Sequence, residues 1–520
     1  MITVDKLSIE TLDGRKLIEN LSFQLSDGDK LAVIGEEGNG KSTLLKAIID
    51  FSLVNSYCNV SGVVKKDSTN IGYLEQKLNS GWYDCSVLEF FLRDNYYSDI
   101  DYEKYGEINL FERTLKRLDF NPEYLHKDMK IGNLSGGEQV KLQIAKLFIN
   151  KPDAIFLDEP TNDLDIDTLK ILEQYILQTK QPIMYISHDE TLLERTANRI
   201  LHIEQLIRKS KPKFTLERCG YDEYVSARKR SIEHQTQVAY NERREHEKKE
   251  EILRQIKQKV ENALVAAKKD PSSGRIIAKK MANVKALEHR YENEELTEVP
   301  DVEEAINIIV DKSVTVPNQK RVLDLHMDYL GVGDKLLSKD VDLQIYGPKK
   351  VAIIGKNGCG KTTLLREIVP ILDETPGLRV GYFSQNYYEV LDYNATACDQ
   401  IFESNSEFNP RTLLGSLKFT RDEMLKKVKD LSEGQKAKIA LMKLVIEKNN
   451  ILVLDEPTRN LSPLSNPVIR EMLKTYNGAI ITVSHDRKFI KEVCDEVYSL
   501  DKNGLTKIPM RELESDEIIY

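Results

Sequence analysis

The 520-residue chain has no run of eighteen or more apolar residues, which excludes a membrane-spanning helix. Nothing at Met1-Ile2-Thr3-Val4 reads as a secretory leader. Its six cysteines (Cys58, Cys85, Cys219, Cys359, Cys398, Cys494) are scattered without a C-x-x-C pair. That excludes a zinc or iron–sulfur framework of the usual spacing and fits a reducing, cytoplasmic setting. Net positive charge is also lacking: 75 Lys and Arg face 84 Asp and Glu, a formal −9 that argues at first against a nucleic-acid partner. The distribution reverses that argument. Between Val225 and Glu292 there are 17 basic residues and 10 acidic ones, a local +7, so the rest of the chain carries −16. The length is too great for one core and suggests about three domains. With 40% hydrophobic and 31% charged residues, the composition is that of a globular protein with solvated helical surface.

What is present is a phosphate-binding motif, twice. Gly35 to Thr43 reads GEEGNGKST and Gly355 to Thr363 reads GKNGCGKTT. Each follows an apolar, strand-like run (Leu31-Ala32-Val33-Ile34, Val351-Ala352-Ile353-Ile354) and precedes a helical pattern. That strand–loop–helix context makes the G-x-x-x-x-G-K-[ST] match meaningful. Glycines let backbone N–H groups close around phosphates at a helix N-terminus, where unpaired donors and the dipole favour anions. Phosphate contacts are expected from Gly35, Gly38, Asn39, Gly40, Lys41, Ser42 and Thr43, and from Gly355, Asn357, Gly358, Gly360, Lys361, Thr362 and Thr363. The two lysines would reach the phosphates, and the Ser42 and Thr362 hydroxyls a Mg²⁺ ion. Cys359 reads as a small residue tolerated in its loop.

Four further motifs repeat in the same order. A strand ends in glutamine at Gln76 and Gln385. A Leu-Ser-x-Gly motif opens a helix at Leu134-Ser135-Gly136-Gly137-Glu138 and Leu431-Ser432-Glu433-Gly434-Gln435. An apolar strand is closed by acids at Asp158-Glu159 and Asp455-Glu456, and another ends at His188 and His485. The chain is therefore expected to be α/β: two tandem copies of one P-loop domain joined by a long α-helical hairpin. Residues 1–206 form the first domain, 207–318 the linker with its tip at about 265–282, 319–510 the second domain, and 511–520 a short tail.

This motif set resembles the ATP-binding-cassette (ABC) family over nearly the whole chain. The resemblance implies ATP and Mg²⁺ as cofactors and ATP hydrolysis as the reaction, carried mostly by positioning and charge neutralisation. Asp158 and Asp455 would hold the metal shell, with Gln76 and Gln385 sensing metal and nucleotide. Glu159 and Glu456 would polarise the attacking water, and His188 and His485 would contact the γ-phosphate. The resemblance also implies a head-to-tail, intramolecular sandwich of the two cassettes in a monomer. Site 1 pairs Lys41 and Glu159 with the Ser432–Gln435 motif; site 2 pairs Lys361 and Glu456 with the Ser135–Glu138 motif. Tyr329 is the candidate for stacking adenine in the second cassette, while Ile9-Glu10-Thr11-Leu12 offers no aromatic in the first.

The sites are not equivalent. Site 1 collects Glu36 and Glu37 in its loop, Glu433 where the other motif has Gly136, and Ser462 where the first cassette has Asp165. Site 1 is expected to bind ATP and to turn over more slowly than site 2.

From about Tyr224 to Ala267 the chain is charged and free of Gly and Pro, with Ile252, Ile256, Val260 and Leu264 at spacing four. One long helix is expected there, then a turn at Asp270-Pro271-Ser272-Ser273-Gly274, then a second helix from about Arg275 to Tyr291. The pair would project roughly 40–60 Å. Its tip carries Lys268, Lys269, Arg275, Lys279 and Lys280, suited to phosphates or to a solvated spacer alike. Tandem cassettes joined by such a hairpin resemble the ABC-F class, and the Leu431–Gln435 motif with Pro457 to Ser465 resembles its Gram-positive antibiotic-resistance branch. The resemblance implies binding to the bacterial 70S ribosome, with the linker entering the exit site near the P-site tRNA and peptidyl-transferase centre. Displacement of lincosamide, pleuromutilin or streptogramin A drugs would follow. The insertion in the first cassette is short, with 57 residues between Gln76 and Leu134 against 45 between Gln385 and Leu431. Two alternatives stay open: a translation factor of the same class that relieves stalled ribosomes, and the ATPase subunit of a transporter. A DNA-repair ATPase would need a zinc module or far longer coiled coils, and an iron–sulfur recycling factor a cysteine cluster.

Overall fold

The computed structural model describes residues 1–67, 70–206, 211–266, 271–292, 315–333, 335–404, 409–417, 419–459 and 461–513. In the first cassette the strands are β1 (Ile2–Thr11), β2 (Lys16–Leu25), β3 (Lys30–Ile34), β4 (Cys58–Lys66), β5 (Ile71–Leu74), β6 (Ala154–Asp158), β7 (Ile183–Ile186), β8 (Arg199–Gln205) and β9 (Lys211–Glu217). Six of them form one sheet in the order β5-β6-β7-β3-β8-β9, parallel except for the β8–β9 edge pair. Strands β3, β6 and β7 are buried along their whole length, which is why their sequences are continuous apolar runs rather than alternating ones. A smaller antiparallel sheet, β2-β1-β4, packs its alternating face (Leu7, Ile9, Leu21) into the same core as Val33, Leu44 and Met184.

The second cassette repeats this plan with β10 (Arg321–Val332), β11 (Lys335–Tyr346), β12 (Lys350–Ile354), β13 (Val380–Phe383), β14 (Ile451–Asp455), β15 (Ala479–Val483), β16 (Glu496–Asp501) and β17 (Gly504–Ile508). The order β13-β14-β15-β12-β16-β17 matches the first sheet position for position, and β10-β11 replaces the three-stranded sheet. In each sheet the strand before the phosphate loop, β3 or β12, lies between neighbours reached by separate crossovers. Such a switch in strand order opens a crevice at the carboxyl ends of the strands, where a ligand can sit.

Two domain edges differ from expectation. Strand β9 hydrogen-bonds to β8 across Ile200–Gln205, so the first cassette runs to Glu217 rather than ending at 206. At the other end Leu513 is buried in the second-cassette core, beyond the expected limit at 510.

The segment from Asp222 to Val302 forms a compact unit of its own. Its helices span Tyr221–Ala266, 46 residues, and Pro271–Glu292, 22 residues. At 1.5 Å per residue these are roughly 69 and 33 Å long, so the first helix exceeds the expected reach and the second falls short of it. Pro271 starts the second helix instead of sitting in a turn, as proline can at a first helical position where no N–H is needed. The helices run antiparallel: Lys257 pairs with Glu288 at 2.6 Å, and His246 meets the Tyr291 carbonyl at 3.0 Å. Leu253 and Val284 are buried, whereas Ile252 and Ile256 are exposed. A strict spacing of four overshoots the 3.6-residue turn, so the expected stripe drifts off the contact face. Lys279, Lys280 and Lys285 are exposed; Lys268 and Lys269 lie outside the described residues, and only the helical backbone of Arg275 is described.

Candidate nucleotide sites

Both phosphate loops turn into helices, Lys41–Ile49 and Lys361–Asp373, through glycines in the left-handed region: Gly40 at φ 87° and Gly360 at φ 103°. A side chain is strained there, which is what the motif's second glycine avoids. Each loop lysine is held by its own loop's carbonyls. Lys41 Nζ donates to Gly35 O at 2.7 Å and Glu36 O at 3.0 Å, and Lys361 Nζ to Gly355 O at 2.8 Å and Lys356 O at 3.0 Å. The ammonium groups thus sit inside the loops where phosphates are expected. Ser42 Oγ donates to Asp158 Oδ1 at 2.9 Å, and Thr362 Oγ1 to Asp455 Oδ2 at 2.9 Å.

Site 2 is a cavity of about 450 Å³ between the cassettes. Gly358, Gly360, Lys361, Thr362 and Thr363 line one wall, with Gln385, Asp455, Glu456 and His485; Ser135, Gly136 and Gly137 line the opposite one. The helix Gly136–Asn150 begins there with a reciprocal cap, Ser135 accepting from the Glu138 N–H while the Glu138 carboxylate accepts from the Ser135 N–H. The approach is close. A Cβ on Gly137 would collide with the Asp163 carbonyl and come within 2.7 Å of the Asn357 side-chain nitrogen. Asn357 donates to that same carbonyl, Arg459 pairs with Asp163 at 2.9 Å, and Lys356 with Asp119 at 2.8 Å.

Site 1 is fastened differently. The buried Glu36 carboxylate accepts from Lys438 Nζ at 2.9 Å, from Ser465 Oγ at 3.0 Å and from Ser462 Oγ. All three partners belong to the second cassette; Lys438 lies on the helix Glu433–Ile446 that Ser432 caps. Burial would raise the carboxyl's pKa, yet Lys438 and the two hydroxyls hold it down at about 2. In the first cassette the corresponding lysine, Lys141, pairs with its own Asp165 at 3.2 Å. Ser462 replaces that aspartate, and the phosphate loop supplies the missing carboxylate across the interface.

The two candidate general bases share a strained backbone, Glu159 at φ 52° and Glu456 at φ 55°. Non-glycine residues in this region collect at functional sites. Their charge states diverge. Glu159 Oε1 lies 2.8 Å from His188 Nε2; burial opposes ionisation there, but the pairing wins, lowering the Glu159 pKa and raising that of His188. In the second cassette the same atoms are 3.6 Å apart. Burial, with Asp455 adding to it, pushes Glu456 up to about 8, while burial and Lys361 bring His485 down to about 3. Glu159 Oε2, Glu456 Oε1 and the Nδ1 atoms of both histidines are buried without a hydrogen-bond partner. Orphaned polar atoms of this kind mark a place built for something else.

Of the second-cassette residues expected at site 2, the structure places all along the cavity except Gly355 and Tyr329. Tyr329 is half-exposed on β10, donates to Gly333 O at 3.3 Å and is not among the lining residues; Leu337 of β11 lines the cavity instead. Gln76 and its counterpart Gln385 are both exposed, and Gln385 lines site 2. Residues not foreseen are Lys438 and Ser465 at site 1, and Asp163, Asn162 and Arg459 at site 2. Asn162 and Asp163 follow the acidic strand directly, so their position after Glu159 was the available signal.

The family profile described as "ABC transporter" matches residues 18–162 and 338–459, more than half of the chain. The chain belongs to the ATP-binding-cassette family, in its F class. ABC transporter F family member 2 of Arabidopsis thaliana is 27% identical over 541 residues, covering 95% of this chain and 76% of its own length. Ribosome protection protein VmlR of Bacillus subtilis (strain 168) is 28% identical over 549 residues, covering 100% of this chain and 90% of its own. The solved archaeal ribosome recycling factor aABCE1, in complex with the ribosomal stalk protein aP1, superposes with a TM-score of 0.56 at 16% identity. It covers 95% of this chain and 88% of that one, a likeness of fold. No helix among the described residues is long and apolar enough to cross a membrane.

Proposed function

We propose that this chain is a cytoplasmic, ATP-gated ribosome-binding protein that confers antibiotic resistance by ribosome protection. The observation that carries the reading is the joining of two cross-cassette sites to a separately folded, basic helical hairpin. The full-length match to a relative named as a ribosome protection protein supports it.

Gly35 to Thr43 and Gly355 to Thr363 would cradle the phosphates of two ATP molecules, each closed from the other side by Ser432–Gln435 or Ser135–Glu138. The hydroxyl–carboxylate pairs Ser42/Asp158 and Thr362/Asp455 are hard oxygen donors, which suits Mg²⁺ shared with phosphates and water. When bound, that ion supplies neutralisation of the developing phosphate charge. Glu159 and Glu456 would orient water and draw its proton, with His188 and His485 against the terminal phosphate. Site 2 is the faster site in this account: its cavity is open to the second-cassette loop, and Glu456 is not engaged by its histidine as closely as Glu159 is. Closure on ATP permits docking on the 70S ribosome, through Lys268, Lys269, Arg275, Lys279 and Lys280 near the P-site tRNA and rRNA. Hydrolysis releases the protein.

Deleting the gene from its host is expected to lower the inhibitory concentration of a lincosamide, pleuromutilin or streptogramin A drug at least fourfold, with rescue by the intact gene and not by Lys41→Ala/Lys361→Ala. Unchanged susceptibility with retained ribosome binding would assign the protein to relief of stalled ribosomes instead.

A further inference from the structure

Next to the nucleotide sites, the helices that follow Asp165, Ser462, His188 and His485 meet across the two cassettes in a cluster of buried charges. Glu173 on the helix Ile166–Gln178 and Glu190 at the start of the helix Glu190–Thr196 belong to the first cassette. The second cassette carries Arg470 and Arg487 at the corresponding positions, counted from the Asp158 and Asp455 strands or from His188 and His485. Arg470 donates to Glu190 at 2.5 and 3.1 Å, and Arg487 donates to both carboxylate oxygens of Glu173. All four side chains are at most 6% exposed.

A third position completes the set within each cassette, again with opposite sign. Arg195 pairs with Glu173 at 3.2 Å, and its counterpart Glu492 pairs with Arg470 at 2.8 Å. Lys488 adds a contact to Glu190 at 3.2 Å and another to Glu194. The cluster therefore has the pseudo-twofold geometry of the duplicated fold, while every one of its three positions is inverted in charge. Nothing in phosphate or metal binding requires that inversion.

We infer that this inverted charge set is a pairing code that determines which cassette faces which. The Glu173/Glu190 surface fits a cassette that presents arginine at both positions, which is the second cassette. A sandwich of two first cassettes from separate copies would bury four glutamates with only the two Arg195 side chains beside them, and one of two second cassettes four arginines with only the two Glu492 side chains, leaving the other charges unpaired. Buried charges without a counter-ion are strongly disfavoured, so both like-with-like sandwiches are rejected while first-with-second is stabilised. The covalent link between the cassettes then makes the closed form intramolecular by raising their effective concentration.

The test uses two full-length chains. One carries Glu173→Arg/Glu190→Arg/Arg195→Glu, the other Arg470→Glu/Arg487→Glu/Glu492→Arg, each keeping its internal pair. Alone, each chain is expected to bind ATP but to lose at least tenfold in ATP turnover and to stay monomeric by mass photometry. Mixed one to one with ATP, they are expected to form a dimer and regain at least half of the unmodified turnover, because the pairings of positions 173 with 487 and 190 with 470 now lie between copies, while Lys488 keeps Glu194. Undiminished turnover in either single chain would overturn the inference. So would failure of the mixture to recover although both chains bind ATP. Should either chain fold poorly, the six-substitution chain that inverts both cassettes carries the test. Turnover within threefold of the unmodified protein supports the code, and failure to recover contradicts it. None of these readouts involves ribosomes, so they stand apart from the proposed function.

Discussion

Glu456→Gln is expected to lower steady-state ATP turnover by about a hundredfold or more, within the range seen when a general base is removed, whereas Glu159→Gln lowers it only several-fold. The difference rests on three features. The site 2 cavity has both walls in place, with Lys361, Thr362 and Asp455 opposite Ser135 and Gly137. The Glu456 carboxylate is not tied up by its histidine, whose Nε2 stands 3.6 Å from Oε1. At site 1, Glu159 is already engaged by His188 at 2.8 Å, which lowers its basicity. Phosphate release from the two single variants and from the unmodified protein, measured at saturating ATP, decides the matter. The reverse pattern, with hydrolysis abolished in Glu159→Gln and retained in Glu456→Gln, would reverse the assignment.

Glu36→Ala is expected to destabilise the closed cassettes by about 3 kcal/mol, at the lower end of what breaking a buried ion pair costs. The substitution removes the carboxylate that accepts from Lys438, Ser462 and Ser465 together, while Glu37 remains 3.6 Å from Lys438 and softens the loss. Adding Lys438→Met, which removes the buried ammonium, should recover most of it. The pH dependence has a defined sign. The folded Glu36 carboxyl sits at about 2, below its ordinary value, so its stabilisation is present above about pH 4.5 and lost as pH falls toward 2. Urea unfolding of the three chains between pH 3 and 7 reads both effects. Equal stability of Glu36→Ala and the unmodified chain at pH 7 would remove site 1's trans carboxylate from the account.

The cassettes were legible in the sequence because their chemistry is local. Gly35 to Thr43, Ser135 to Glu138 and Asp158-Glu159 each lie within one strand end or helix start, so spacing alone places their atoms. The departures at Glu36 and Ser462 were also visible and were assigned to one site. That they touch was not visible, since they lie 426 positions apart and the hydrogen bond depends on how two cassettes face each other. The same holds for Glu173 and Arg487. Each reads as an ordinary charge on a helix, and only the pseudo-symmetry of the folded pair exposes the inversion. Edge strand β9 escaped because Lys211–Glu217 is charged and only partly buried, with none of the apolar continuity of β3 or β6. The hairpin seam through Leu253 was missed because Ile252 and Ile256 looked equally suited to it.

The central claim is that ATP-driven closure gates attachment to the ribosome through the basic hairpin. The direct measurement is co-sedimentation of the Glu159→Gln/Glu456→Gln chain with 70S ribosomes, with and without ATP, at two salt concentrations. The account predicts sedimentation only with ATP, weakening as salt rises, and loss of at least tenfold in affinity when Lys268, Lys269, Lys279 and Lys280 are all replaced by Gln. A chain that binds ATP and closes yet stays in the supernatant, or that sediments equally without ATP, would contradict it.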